Sequence, residues 1–572
     1  PFTPPPGDAN TVCDPTAYQS LDGCCNNLAL PLSGAADHSD QMRRLAPSAY
    51  PGDGSGDAIA DRTPASVTPE VVYAGERTIS NTVFDQDERD CSARALNEMV
   101  TFYGQFLNHD MHEAEQDALD TTVVTVPADD PFLVGDMVLT RTNTVPGTGT
   151  VDAPREQAND GVSTPLDLSV VYGLTEERLE ALRDGIFLKT VFFKHGEFPP
   201  VGDDIGLPEF GTTLAFGDHR GNENPGLLNV HTLWVRNHNY WALRLRQESP
   251  TAGTDEELFQ QARRMNIAEH QKFTTEDWLD ALGVRLPEYT GYNDTTGPTP
   301  ISEMVGGALR IGHTLLNDDF EFLDDNLELI GDPVNLKDSF FSPDLMTGGA
   351  LAADETPDEV NGGVDAISRG LLSRCANAID SKVVHGIRNF LFGEGSAGLD
   401  LVSINLRRGR DWGFSRYNAI REAVGLEPAA SFADISNDPV VQDRLAAVYA
   451  SVDDIDYWVG GLAENHVRRS SLGELFTAVF TAHFTSMRDN DRFWWEQDGM
   501  LDPNDADRDA RLHRRVRETT FEDFLVRNTG IPRSQVPDNA FYMATPAPAD
   551  ISTVGTTPLP PATAPVPAAP TP

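Results

Sequence analysis

Apolar residues recur at helical spacing over Leu96 to Glu115, Gly226 to Arg246, Leu258 to Leu282, Ser302 to Leu316, Ala366 to Phe392 and Arg410 to Val424. Positions three and four apart share one face of an α-helix, so each stretch predicts a helix with a buried side. Strand-like alternation is sparse and short. The pattern predicts one large, mainly α-helical domain with long loops and little β-structure, over residues 71–544. Before it, residues 1–70 are rich in Pro, Gly, Asp and Ser with little periodicity, and are expected to form an irregular arm wrapped on the body. After it, residues 545–572 are a Pro/Ala/Thr tract that cannot build a core and reads as an extended tail or linker. No internal repeat is evident.

Composition narrows the class of function. With 43 Lys+Arg against 89 Asp+Glu the net charge is −46, which makes nucleic acid and anionic membrane surfaces poor partners. A chain of 572 residues would suggest three or four domains by length alone, but no linker-like shift of composition divides its middle. No apolar run of the roughly 18 residues that a membrane span needs is present, so no transmembrane segment is expected. The first residue is Pro1 rather than Met, which reads as a processed product. Cysteines stand at 13, 24, 25, 91 and 375; Cys13 can close a short loop with Cys24 or Cys25, and the odd count leaves one over. Disulfide-compatible cysteines favour a secreted protein.

Five clusters carry candidate chemistry. Tyr103 to His112 includes Gln105 and His109, which share a helix face, and Asp110, which points about a quarter-turn away. One helix can then place His109 in a reaction cavity and Asp110 on an ion behind it. Ser163-Thr164-Pro165-Leu166-Asp167-Leu168-Ser169 offers side-chain oxygens at 163, 167 and 169, a compact pattern suited to Ca²⁺. His219 to Pro225 puts Arg220 in a loop leading into a helix. Leu309 to Leu315 contains His313, with Gly306, Gly307, Ala308 and Gly312 nearby leaving room for a flat group. In Ile404 to Gly413, Asn405 can orient an imidazole and Arg408 can hold a carboxylate.

With these clusters in this order, the chain resembles the animal-type haem peroxidases of the peroxidase-cyclooxygenase superfamily, over roughly residues 75–540, with Cys25-Asn26-Asn27 extending the likeness into the arm. The resemblance implies haem b and Ca²⁺ as cofactors, H₂O₂ as oxidant, and halides, pseudohalides or phenols as donors oxidised through a ferryl intermediate. It implies a secreted, monomeric enzyme with a part in the response to oxidative stress. Residue by residue, His109 and Gln105 resemble the distal histidine and glutamine, and Arg220 the distal arginine. His313 resembles the axial iron ligand and Asn405 its hydrogen-bonding partner. Arg310 and Arg408 resemble contacts to the haem propionates. Asp110, Ser163, the Pro165 carbonyl, Asp167 and Ser169 resemble a calcium site.

Departures from the family pattern sharpen the expectation. Mammalian members attach haem through two ester links to acidic residues. Glu223 matches one, but Asn108 stands at the other position, and an amide cannot form that ester. Asn224 stands where a sulfonium-forming Met occurs in one member. At most one covalent link, through Glu223, is therefore expected, and a less distorted haem favours iodide, bromide, thiocyanate or phenols over chloride. Two alternatives are a fatty-acid dioxygenase, which the family pattern would mark by a Tyr where Arg310 stands, and a Ca²⁺-dependent adhesion or scaffold protein on the same fold.

Overall fold

The computed structural model describes residues 13, 18–36, 42–50, 74–86 and 90–544, apart from 151, 160, 249–252, 353–354, 360, 394, 396–397 and 503. The Pro/Ala/Thr tract at 545–572 and much of the arm lie outside the described residues. The helices include α1 (Glu76–Val83), α2 (Met99–Met111), α3 (Pro225–Glu248), α4 (Asp255–Lys272), α5 (Gly363–Ser373), α6 (Leu401–Asp411), α7 (Tyr417–Ala423), α8 (Glu474–Asp489) and α9 (Phe521–Asn528). The β-structure among the described residues consists of two-stranded antiparallel ladders, chiefly β1 (Gln116–Val124) with β2 (Met137–Thr142), and isolated bridges. The fold is therefore mainly α, as the apolar spacing predicts. No helix of the described residues is long and apolar enough to cross a membrane.

Helix α2 is central because it is buried on nearly every side. Val100, Tyr103, Phe106, Leu107 and Met111 are fully buried, and so is Asp110. A helix apolar on one face would leave polar residues in water; here the polar members of α2 are interior and must find partners or a ligand. Helix α3 crosses α2 at Gly226, where a Cβ would lie 2.4 Å from the Phe102 ring. Only glycine permits so close an approach. Asn224 starts α3 by accepting the Leu227 N–H at 2.9 Å, satisfying a donor that the first turn leaves open. Helix α4 opens with a capping box, Thr254 with Glu257. It runs through a π-helical turn, Phe273–Trp278, into Leu279–Leu282.

Three predicted helices differ from the structure. Ser302 to Leu316 is broken into Ser302–Val305, a 3-10 turn at Ala308–Ile311, and the single turn Gly312–Leu315. Gly307, with φ −135° and ψ −83°, interrupts it. Ala366 to Phe392 is helical only in α5 and in His385–Arg388. Between them the chain is held by Cys375 and by bridges such as Cys91 with Asn377 and Asp85 with Val383, so its apolar side chains are buried from an extended path. Arg410 to Val424 is split at Gly413, whose φ of +70° ends α6 before α7 begins.

The arm's described parts are stitched to the body. Asn26 donates to Asp491 at 2.8 Å, and Asn27 donates to the carbonyls of Asp294 and Thr296. Of the two partners open to Cys13, Cys25 forms the disulfide. Cys24 Sγ lies 3.7 Å from Cys25 Sγ. A second disulfide joins Cys91 to Cys375.

Candidate active site

The C-terminal half of α2 presents one side of the site. His109 is buried, its Nδ1 has no hydrogen-bond partner, and its Nε2 lies 3.8 Å from Glu223. Burial and the neighbouring Arg220 hold its pKa well below the usual histidine value, so the ring is neutral at physiological pH. Arg220 is fixed from two directions. Its Nε donates to Asp218 at 2.9 Å, while Nη2 and Nη1 donate to the carbonyls of His109 and His112 at 3.1 and 3.2 Å. Burial opposes ionisation of Asp218, but Arg220 holds that carboxyl well below the ordinary range. Burial also pushes Glu223 up to about 7 against the pull of Arg220. Gln105 accepts from the Asn224 amide at 3.0 Å. Asn108, one residue before His109, has a buried amide oxygen without a partner.

The facing side comes from the turn Gly312–Leu315, which packs against α2, and from α6. His313 Nδ1 lies 2.7 Å from the Asn405 amide nitrogen, and Arg310 Nη1 donates to the Asn405 oxygen at 2.8 Å. In this arrangement Asn405 donates to the ring. An Nδ1–H that donates to Asn405 needs the amide turned over, which follows when Arg310 leaves it for another acceptor. Burial and Arg310 lower the His313 pKa to about 3. The predicted glycines divide by role. A Cβ at Gly306 would strike Trp412 at 2.5 Å and one at Gly307 would strike Tyr457 at 2.6 Å, so these two admit protein rings rather than a ligand. Gly312 instead faces open space beside His313.

The cations here lack counter-charge. Burial and Arg408 pull Arg310 down to about 10, with no carboxylate raising it. Arg408 is likewise lowered by burial, opposed only by Asp411. Its Nη1 reaches the Thr140 carbonyl at 3.5 Å. His112, absent from the predicted set, joins the two sides. It is buried, its Nε2 has no partner, and burial followed by Arg220, Arg310 and Arg408 depresses its pKa well below the histidine norm. Two half-buried guanidinium groups, one with no carboxylate near it and one with Asp411 alone, beside an orphaned imidazole nitrogen call for an anion. The paired carboxylates of a haem edge have that charge, and the residues present fit the group.

Behind His109, Asp110 accepts the backbone N–H of Leu168 at 3.2 Å and of Val170 at 3.4 Å. Leu168 has φ of 60°, which folds the Ser163-to-Ser169 loop back onto α2. Within the loop Ser163 donates to Asp167 at 2.6 Å and Asp167 accepts from Ser169 N at 3.1 Å. Pro165 is buried in the same loop, and the Ser169 hydroxyl is buried without a partner. Burial and Asp110 push the Asp167 carboxyl well above its ordinary value. Two buried carboxylates in mutual repulsion beside an unused hydroxyl are what a hard cation would relieve. Sequence reading also missed His270, whose Nε2 lies 3.1 Å from Asp110 Oδ2. It is 160 residues away, and no local signal marks it. Asp218 was missed as well; its signal is local, a carboxylate two residues before Arg220.

At the rim, Phe341 N donates to the Glu223 carbonyl at 3.1 Å. Phe341 and Phe392 are half-exposed, lie 6.0 Å apart, and both have positive φ, 52° and 60°. A bulky residue in the left-handed region is strained, and such strain gathers at ligand sites.

A family model described as animal haem peroxidase matches residues 18–541. The chain is similar to peroxinectin A of Dictyostelium discoideum, 34% identical over 81% of this chain and 86% of that one. Among solved structures it is similar to peroxidase A of the same organism, with a TM-score of 0.78 and 30% identity over 92% of this chain and 100% of the other. A fatty acid alpha-dioxygenase of Arabidopsis thaliana superposes with a TM-score of 0.73 at 17% identity, over 97% of this chain and 87% of the other, a likeness of fold alone.

Proposed function

Since the chain belongs to the animal haem peroxidase family, and is thereby a haem-dependent oxidoreductase acting on H₂O₂, we propose that its haem lies between His109 and His313 and that small anions and phenols are its donors. The observation that carries the placement is the pair Arg310 and Arg408, half-buried and mutually repelling, with Asp411 as the one opposing carboxylate. They would hold the haem carboxylates, with His112 as a further contact. His313 would ligate iron through Nε2, and Asn405, its amide turned once Arg310 engages a carboxylate, would fix the ring by accepting from Nδ1–H. When bound, haem supplies the two electrons that cleave the O–O bond.

The protein's part is proton handling and charge. Neutral His109 takes the proton from the nearer peroxide oxygen and returns it to the departing one. Arg220, whose position Asp218 and two carbonyls set, stabilises negative charge as the O–O bond lengthens. Gln105, tied to Asn224, orders the peroxide and excludes stray water.

Glu223 is the one carboxyl placed for an ester to haem. Asn108 is an amide, and Asn224 is committed to capping α3 and to Gln105, so at most one link forms. The less perturbed haem would oxidise iodide, bromide, thiocyanate or phenols in preference to chloride. The half-exposed Phe341 and Phe392 rings, joined to the Glu223 carbonyl through the Phe341 N–H, support flat phenols as donors. Asp110, Ser163, Asp167, Ser169 and the Pro165 carbonyl would hold Ca²⁺, locking the end of α2 on which His109 sits. Two disulfides support a secreted protein. All of these groups come from one chain, so the monomer suffices as the catalytic unit, with residues 71–544 as its domain.

Purified protein should show a Soret band. His313→Ala should lose it, whereas His109→Ala should keep it and reduce H₂O₂ about 10² to 10⁴ times more slowly. Efficient chlorination of a test substrate would overturn the donor assignment, and a Soret band unchanged in His313→Ala would overturn the axial ligand.

A further inference from the structure

Trp412 occupies a position that the peroxide chemistry leaves unused. It follows α6, the helix of Asn405 and Arg408, and its N–H bonds to the Arg408 carbonyl at 2.9 Å. Its ring meets His112 at 5.3 Å between centroids and lies against Gly306 of the segment leading to His313. It therefore borders both halves of the site. The indole is buried, and its Nε1–H donates to Thr142 Oγ1 at 2.9 Å. On its other side Gly413 carries the Tyr50 ring so closely that a Cβ there would lie 2.6 Å from Cε2 and Cζ. The Tyr50 hydroxyl donates to the Asp411 carbonyl at 2.5 Å, and the residue is partly exposed. Two readily oxidised side chains are thus joined from the cavity edge outward through the backbone of residues 411–413, which Trp412 belongs to and Tyr50 packs against and bonds.

We propose that Trp412 and Tyr50 form a one-electron outlet through which the peroxide-oxidised enzyme attacks phenols too large to enter the cavity, such as phenolic groups on a polymer or protein. The inference rests on the haem placement above. The established activity supplies the oxidant: H₂O₂ is reduced to water and leaves the centre two electrons short. Trp412 gives one electron to that centre and retains its Nε1 proton, hydrogen-bonded to Thr142 Oγ1, as an indole cation radical. Tyr50 then returns an electron to Trp412 and releases its phenolic proton to water. The Tyr50 radical takes a hydrogen atom from the O–H bond of the large phenol, which leaves as a phenoxyl radical, and Tyr50 is restored. A second passage completes the reduction of the centre.

The test mixes the haem-loaded full chain with H₂O₂, freezes it within milliseconds and records electron paramagnetic resonance. The wild type should give a protein radical. Tyr50→Phe should leave only an indole-type signal, and Trp412→Phe should abolish both. Oxidation of phenol groups fixed to dextran should fall about tenfold or more in Tyr50→Phe, with iodide oxidation unchanged. Tyr50→Phe deletes only a hydroxyl, so the proposal stays testable if Trp412→Phe misfolds. An unaltered radical spectrum together with unaltered dextran-phenol oxidation in Tyr50→Phe would overturn the outlet. A wild type without a Soret band or iodide oxidation would fail the haem placement, and the outlet with it; intact iodide oxidation without a protein radical would fail the outlet alone.

Discussion

Beside His109 the chain sets one carboxyl and one amide, and the proposed single haem link rests on that difference. Glu223 lies 3.8 Å from His109, while Asn108 presents an unpartnered amide oxygen. Glu223→Gln should release all haem on denaturation, and Asn108→Asp should add a second attachment; mass spectrometry of the tryptic haem peptides distinguishes these outcomes. A second residue-scale case lies in the core. His483 is fully buried and its pKa is depressed to about 3 by burial and Arg43. The unfolded chain takes up this proton near pH 6.5, and the folded one does not until about 3. Stability from neutral His483 is therefore present above pH 6.5 and lost as pH falls toward 3. Relative to His483→Leu, the wild type should lose about 1.4 kcal/mol per pH unit in that window. Urea melts at pH 7.5 and 5 check it, and a constant difference between the two proteins would refute it.

At the scale of elements, the end of α2 and the Ser163-to-Ser169 loop act as one unit. Asp110 and Asp167 repel in the absence of a cation. Asp167→Asn should thus raise the melting temperature of protein stripped by a chelator, yet remove the further rise that added Ca²⁺ gives the wild type; an equal Ca²⁺ response in both would refute the site. The sequence made α2, α3 and α4 legible because long apolar periods, a Pro at the first turn of α3 and a Thr/Glu capping pair on α4 all agree. Ala366 to Phe392 misled because apolar spacing says what is buried, not by which path. Val383 and Leu391 are interior through isolated bridges, to Asp85 and Leu399. The site residues were legible where chemistry is local, as in Gln105, His109 and Asp110 on one helix. His270 and the His112 junction were not, because their partners arrive from distant segments.

Across the whole molecule, Cys91 and Cys375 tie positions 284 residues apart. Cross-linking so long a loop restricts the unfolded chain strongly, so Cys91→Ser with Cys375→Ser should lose about 4 to 5 kcal/mol in urea unfolding. A loss under 1 kcal/mol would mean that the packing around Ala376 and Asn377 already fixes the strands. The net charge of −46 works against compactness at low salt.

Asn26 closes the fold in a different sense. Its amide reaches Asp491, which also accepts from Gln271 at 2.8 Å, so one carboxylate gathers the beginning, middle and end of the chain. During synthesis that contact cannot form until residue 491 has emerged. Cys91 likewise waits for Cys375, 284 residues later, whereas Cys25 has Cys13 close by. Folding is consequently coupled to long-range closure, and its yield should depend on how well Cys91 is kept from premature pairing.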